Sequence, residues 1–219
     1  NGGGVKGFST SATRAYDSTF IGNTAGGSGG GVENITASNC TFTGNFARGS
    51  GGGVFNGVLT DCTLTGNVVS NAATTGGNGG GFATGVISNC LVAFNHARGR
   101  NADGTISPTI GTGGGLYGSG TLAVNCVVSN NFSESRGGGM NGAVGYNNVV
   151  IGNQSGNEGG GVFGGEHYNT LILGNSAANF AGGAGWEPTL YNCTVLDNTA
   201  PSQAGVRNST LINTITWDN

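Results

Sequence analysis

A bulky apolar residue followed three positions later by Asn recurs along the whole chain. The apolar positions are Phe20, Phe42, Leu64, Val92, Val128, Val150, Ile172 and Val195, and the partner residues are Asn23, Asn45, Asn67, Asn95, Asn131, Asn153, Asn175 and Asn198. A ninth Asn, Asn219, closes a last unit whose middle residue is Thr216. The spacings are 22, 22, 28, 36, 22, 22, 23 and 21, so the sequence is nine copies of one unit. Within a unit, as in Thr41-Phe42-Thr43, polar and apolar residues alternate in short runs, a period of two that predicts half-buried strands. Ser28 to Asn45 shows one unit whole: a glycine run, Val32, then Cys40, Phe42 and Asn45.

Helix is excluded, because an interior glycine costs about 1 kcal/mol relative to alanine and 48 of the 219 residues are glycine. Three short strands in each unit of about 22 residues predict an all-β fold, a parallel β-helix or β-solenoid with one coil per unit. Parallel crossovers are right-handed in about 98% of cases, which predicts the right-handed form. Nine coils stacked about 4.8 Å apart make a rod about 43 Å long. One domain over residues 1–219 is expected, with inserted loops at 68–78 and 96–112. The chain opens and closes within the repeat, so it is expected to be a fragment of a longer array.

Stacking turns each repeat position into a column. Asn23 through Asn219 form one column, and Asp17, Asn39, Asp61, Asn89, Asn125, Asn147, Asn169, Asn192 and Asn213 form a second. Both read as inward-pointing asparagine ladders, with Asn also suited to the left-handed conformation of a bend. Between them runs Ser18, Cys40, Cys62, Cys90, Cys126, Asn148, Thr170, Cys193 and Thr214, small residues expected to fill the core. Stacked cysteines hold their Cβ atoms about 4.8 Å apart where a disulfide needs about 3.8 Å, so free buried thiols are expected.

Composition narrows the function. Charged residues are 8% and the net charge is −3, so no basic patch supplies the phosphate contacts of nucleic-acid binding. No apolar run is long enough to insert into a membrane. No CxxC or Cys/His cluster is present, and neither metal nor cofactor is expected.

The Phe20-Ile21-Gly22-Asn23 and Phe42-Thr43-Gly44-Asn45 stretches have the form F-x-x-N, and Gly29 to Val32 and Gly51 to Val54 are similar to its G-G-A-I companion. This pairing resembles the repeat of the chlamydial polymorphic outer-membrane proteins and of autotransporter-like passenger domains. The aromatic residue gives way to aliphatic ones in later units, and GGAI is mostly GGGV. The resemblance implies an extracellular or cell-surface bacterial location, and a structural or adhesive role with other subunits or flanking domains as partners.

Enzymes of this architecture need clustered acids, and here the acids are scattered. Glu166 and Glu187 beside His167 are the one grouping that could hold catalytic carboxylates. Glu134, Glu158 and Arg136 read as a solvated ion cluster, and His96 as a loop histidine without a partner. Asn101 to Gly104 has a faint likeness to a calcium turn but lacks its second acid. Two outward aromatic columns are candidate binding surfaces: Phe55, Tyr117, Phe163 and Trp186, and Tyr146, Tyr168 and Tyr191. Ring faces in a row would suit sugars or an apolar partner. A third outward face runs from Thr41/Thr43 and Thr63/Thr65 to Val149/Ile151 and Leu171/Leu173, almost without charge. The expected function is therefore a non-enzymatic structural or adhesive module, self-associating end to end into a filament in one version. A glycan-binding or pectate-lyase-like solenoid and an ice-binding solenoid are the other readings.

Overall fold

The computed structural model describes residues 2–71, 77–100, 105, 107 and 110–219. The chain is an all-β parallel β-helix with three parallel sheets running its length. Sheet A begins after each glycine run, sheet B carries the apolar–x–x–Asn repeat, and sheet C follows the repeat's Asn. Sheet B has nine strands, from Thr19–Ile21 to Ile215–Trp217, so all nine sequence units form coils. Every strand pairs in parallel with its equivalent in the next coil, as Thr41↔Thr63 and Phe42↔Leu64 show. The register of the sequence repeat is the register of the sheets.

Sheet A is one strand of seven residues in Val32–Ser38, Val54–Thr60 and Phe82–Ser88, and two short strands in the other coils. Both expected insertions begin as sheet C strands, Val68–Asn71 and His96–Gly99, so the loops start later than their length suggests. Asn101 to Gly104, the expected calcium turn, lies outside the described residues.

The core column Phe42, Leu64, Val92, Val128, Val150, Ile172 and Val195 is buried, as period-two alternation requires. A second small cluster of Ala25, Ala47, Val69 and Ala97 lies under sheet C.

The Asn23-to-Asn219 column is a continuous ladder, buried from Asn45 to Asn198. In each rung the backbone N–H and the side-chain Nδ2 both donate to Oδ1 of the next coil's Asn; for Asn131 and Asn153 the distances are 3.0 and 2.9 Å. The remaining Nδ2 hydrogen goes to a backbone carbonyl of the coil before, as from Asn153 to Val128 at 2.8 Å. Each buried amide thus satisfies all its strong hydrogen-bonding groups, which a buried polar side chain must do.

The second column is not inward. All nine residues, from Asp17 to Asn213, are exposed and sit at φ values between 48° and 55°. They turn the chain from sheet A into sheet B in the left-handed conformation that Asn and Asp tolerate. Their side chains form an outer ladder where two amides meet, as Asn147 Nδ2 donates to Asn125 Oδ1 at 3.2 Å. Inward packing and left-handed bending, expected of both columns, are divided between them.

The five cysteines are free and buried, and burial holds the Cys40 and Cys193 thiols above their ordinary pKa. They do more than fill space. Cys62 Sγ donates to Thr60 O at 3.2 Å and Cys193 Sγ to Tyr191 O at 3.3 Å, across the left-handed bend. Thr170 Oγ1 does the same to Tyr168 O at 3.1 Å, and Ser18 Oγ to Tyr16 O at 2.6 Å. A short side chain with a donor is what the position requires, which is why Cys, Ser and Thr interchange there.

Candidate functional site

Alternation along the sheet A strands separates scaffold from surface. On Glu166–Tyr168 the middle residue, His167, faces the core and is fully buried, while Glu166 and Tyr168 face out. Glu187 lies at an exposed left-handed bend. The structure therefore does not bring Glu166, Glu187 and His167 into one catalytic grouping: the imidazole is on the opposite side of the sheet from the Glu166 carboxylate. Its room comes from Gly145 in the coil before, where a Cβ would lie 2.7 Å from His167 Nδ1.

Burial lowers the His167 pKa to about 4, against the opposing effect of its contact with Gly164 O at 3.3 Å. The unfolded chain binds the proton near pH 6.5 and the folded chain only near pH 4, so stability is full above 6.5 and falls as the pH drops through that window. Denaturant titrations should show wild type losing about 2 kcal/mol relative to His167→Leu between about pH 7 and pH 5. Parallel curves for the two proteins would remove His167 as the cause.

His96 has partners. Its Nε2 lies 3.1 Å from Glu134 Oε1, Arg98 Nε donates to its Nδ1 at 3.2 Å, and its ring meets Phe132 edge-on at 4.8 Å. Burial and then Arg98 lower its pKa to about 4, so at neutral pH the ring is uncharged with its hydrogen on Nε2, donating to Glu134. Arg136 pairs with Glu158 at 2.9 Å. The expected single cluster is two separate pairs. These pairs lock side chains to one another and present no nucleophile with an adjacent base. Among the described residues no group of three or more His, Cys, Asp or Glu is placed to hold a metal ion. Among the described residues no helix is long and apolar enough to cross a membrane.

The aromatic columns differ from each other. Tyr146, Tyr168 and Tyr191 are in register on sheet A and form a continuous stack, with centroids 4.6 and 4.5 Å apart and planes within 5° and 3° of parallel. Within the stack the ring faces cover one another, so edges and hydroxyls point outward. The other column reads Phe55, Ala83, Tyr117, Asn141, Phe163 and Trp186, so its aromatics are interrupted. Only Phe163 and Trp186 are neighbours, and each ring carries a guanidinium: Arg136 lies 4.9 Å from the Phe163 centroid and Arg207 4.4 Å from that of Trp186.

Sheet B presents the third surface. Its outward positions hold Thr, Val, Leu, Ile, a single Trp, Trp217, and the covered Ala93 and Ser129, and no sheet B strand carries a charged residue. At the Thr-rich end the hydroxyls satisfy one another, as Thr43 and Thr65 do at 3.2 Å. Sequence reading found this face and put Arg136 with Glu158, but not the pairing of His96, on the sheet C strand His96–Gly99, with Glu134. His96 and Glu134 come from units separated by the long insertion, although each stands at a fixed offset from its ladder Asn, and that offset was the available signal.

The chain matches no protein-family model and no curated protein.

Proposed function

We propose that the chain is a non-enzymatic structural and adhesive rod, a module of a bacterial surface or secreted protein that docks through the outward face of sheet B. The uncharged sheet B face carries this reading. Elsewhere the outward surface holds ion pairs and Arg-capped rings, whereas here Leu91, Val127, Val149 and Leu171 stack in register without one charge. A flat apolar stripe edged on one side by the exposed Asn and Asp bends has the anatomy of an interface with a hydrophobic centre and a polar rim. The surface or secreted location is supported by the F-x-x-N and GGGV resemblance alone. The glycan reading draws less support, because the ring faces of the tyrosine stack cover one another and Arg136 and Arg207 lie over Phe163 and Trp186.

The size of the face sets the strength of the contact. Nine strands with two outward residues each make a footprint of about 400 Å², half the roughly 800 Å² per partner of a standard stable interface. One rod therefore docks weakly, and firm adhesion comes from many contacts made together. Sedimentation equilibrium should show weak, reversible self-association that strengthens in sulfate, because apolar burial is enhanced by excluded salts. Val149→Lys and Leu171→Lys should abolish it. A protein that stays monomeric at the highest attainable concentration sinks the proposal. Association that survives both lysines would run through the rod ends, and would overturn the assignment of the face.

A further inference from the structure

The tyrosine stack is an outward feature that docking through sheet B leaves unused. Tyr168 is its middle ring, and its hydroxyl donates to Glu166 Oε2 at 2.8 Å. Glu166 stands two residues earlier on the same strand and the same face, so strand geometry holds the pair together. This hydrogen bond to the carboxylate is the main reason the Tyr168 hydroxyl has its pKa raised above the ordinary phenol value.

A phenol becomes a strong acid when it loses an electron. A carboxylate already within hydrogen-bond reach takes the proton as the electron leaves, the same geometric requirement that governs any proton transfer to a positioned base. The two rings stacked on Tyr168, one above and one below, share the unpaired electron through overlapping π systems. Exposure alone would choose another residue, since Tyr16 is 56% exposed and Tyr146 38%.

We propose that Tyr146, Tyr168 and Tyr191 form a site of one-electron oxidation and dityrosine cross-linking between copies of this chain, with Tyr168 and Glu166 as its point of entry. The co-reactant is hydrogen peroxide acting through a haem peroxidase. Each Tyr168 gives one electron to the oxidised haem and its hydroxyl proton to Glu166. Two phenoxyl radicals on two chains then pair their electrons in one bond between ring carbons ortho to oxygen. The two ortho hydrogens move to the ring oxygens as aromaticity returns. Two electrons and the two protons held by the carboxylates reduce one peroxide to two waters, and the balance closes.

The purified chain, treated with peroxidase and peroxide, should gain dityrosine fluorescence and a covalent dimer on denaturing gels. Peptide mapping should place the cross-links on Tyr146, Tyr168 and Tyr191. Glu166→Gln keeps an acceptor but removes the base, and should slow the reaction several-fold. Tyr168→Phe keeps the stacked ring but removes the phenol, and should slow it further, with the circular dichroism of both variants unchanged. Cross-links on Tyr16 or Tyr117 at an equal or higher level, an unchanged rate in Glu166→Gln, or no dityrosine at all would each overturn the proposal.

Discussion

Asn153→Ala is expected to destabilise the rod by about 4 kcal/mol, because it strands several buried groups at once and each costs about 1–3 kcal/mol. Asn153 is fully buried. Its Oδ1 accepts from the backbone N–H of Asn131 at 3.0 Å and from Asn131 Nδ2 at 2.9 Å. Its Nδ2 donates to Val128 O at 2.8 Å and to Asn175 Oδ1 at 3.0 Å. Alanine leaves the Asn131 N–H and one Asn131 amide hydrogen without an acceptor in a dry interior, and adds a cavity. The outer ladder supplies the control. Asn147 is exposed at φ 55°, where glycine is at ease, so Asn147→Gly should change stability by less than about 1 kcal/mol. Urea unfolding followed by circular dichroism compares the two, and equal losses would mean that the inner ladder is no more important than the outer one.

Gly160→Ala is the second large effect, and its cause is different. A Cβ there would lie 2.2 Å from the Ser176 carbonyl oxygen and 2.6 Å from that of Gly183, both backbone atoms of the next coil. No rotamer change can relieve this contact; the coils themselves must separate, and interiors packed this tightly resist that. A loss of at least about 3 kcal/mol, or failure to fold, is expected. Gly44→Ala tests whether crowding rather than glycine itself is responsible. Gly44 has φ +63° and nothing within 4 Å of the added Cβ, so only the left-handed penalty of about 1–2 kcal/mol applies. Phe94, Asn130 and Asp197 already occupy the same bend in other coils at positive φ. Soluble yield and melting temperature report the difference, and a Gly160→Ala protein as stable as Gly44→Ala would show that the coils can part.

The fold was legible because a parallel solenoid repeats its register: one unit read correctly gives every strand. The two Asn columns show what repetition hides. Both hold Asn nearly throughout, but Asp17 and Asp61 enter the second. A carboxylate has no N–H to donate, so it could not serve in a buried ladder that needs two donors per rung. That substitution marked the column as outward. His167 and Glu166 looked like neighbours in sequence, yet consecutive strand residues face opposite sides, and this was sufficient to part them. The His96–Glu134 pair was harder to see, since 36 residues separate Asn95 from Asn131 and the insertion conceals that the two ladder residues are adjacent. The stacking of Tyr146, Tyr168 and Tyr191 followed from their shared position. Their ring planes did not, because a column fixes Cβ positions and not how the rings turn.

The inner asparagine ladder also gives the rod a direction. Backbone bonds between coils run both ways: Gly44 N–H donates forward to Thr65 O, and Phe46 N–H backward to Asn23 O. The bonds between ladder asparagines run one way only, each amide nitrogen giving to the oxygen of the following coil. Every coil therefore shows N–H groups on its leading side and a carbonyl on its trailing side, like the poles of a bar magnet. Two such rods joined head to tail would continue the series. Joined head to head or tail to tail they would set donor against donor or oxygen against oxygen, so any lengthening along the axis has a single permitted sense.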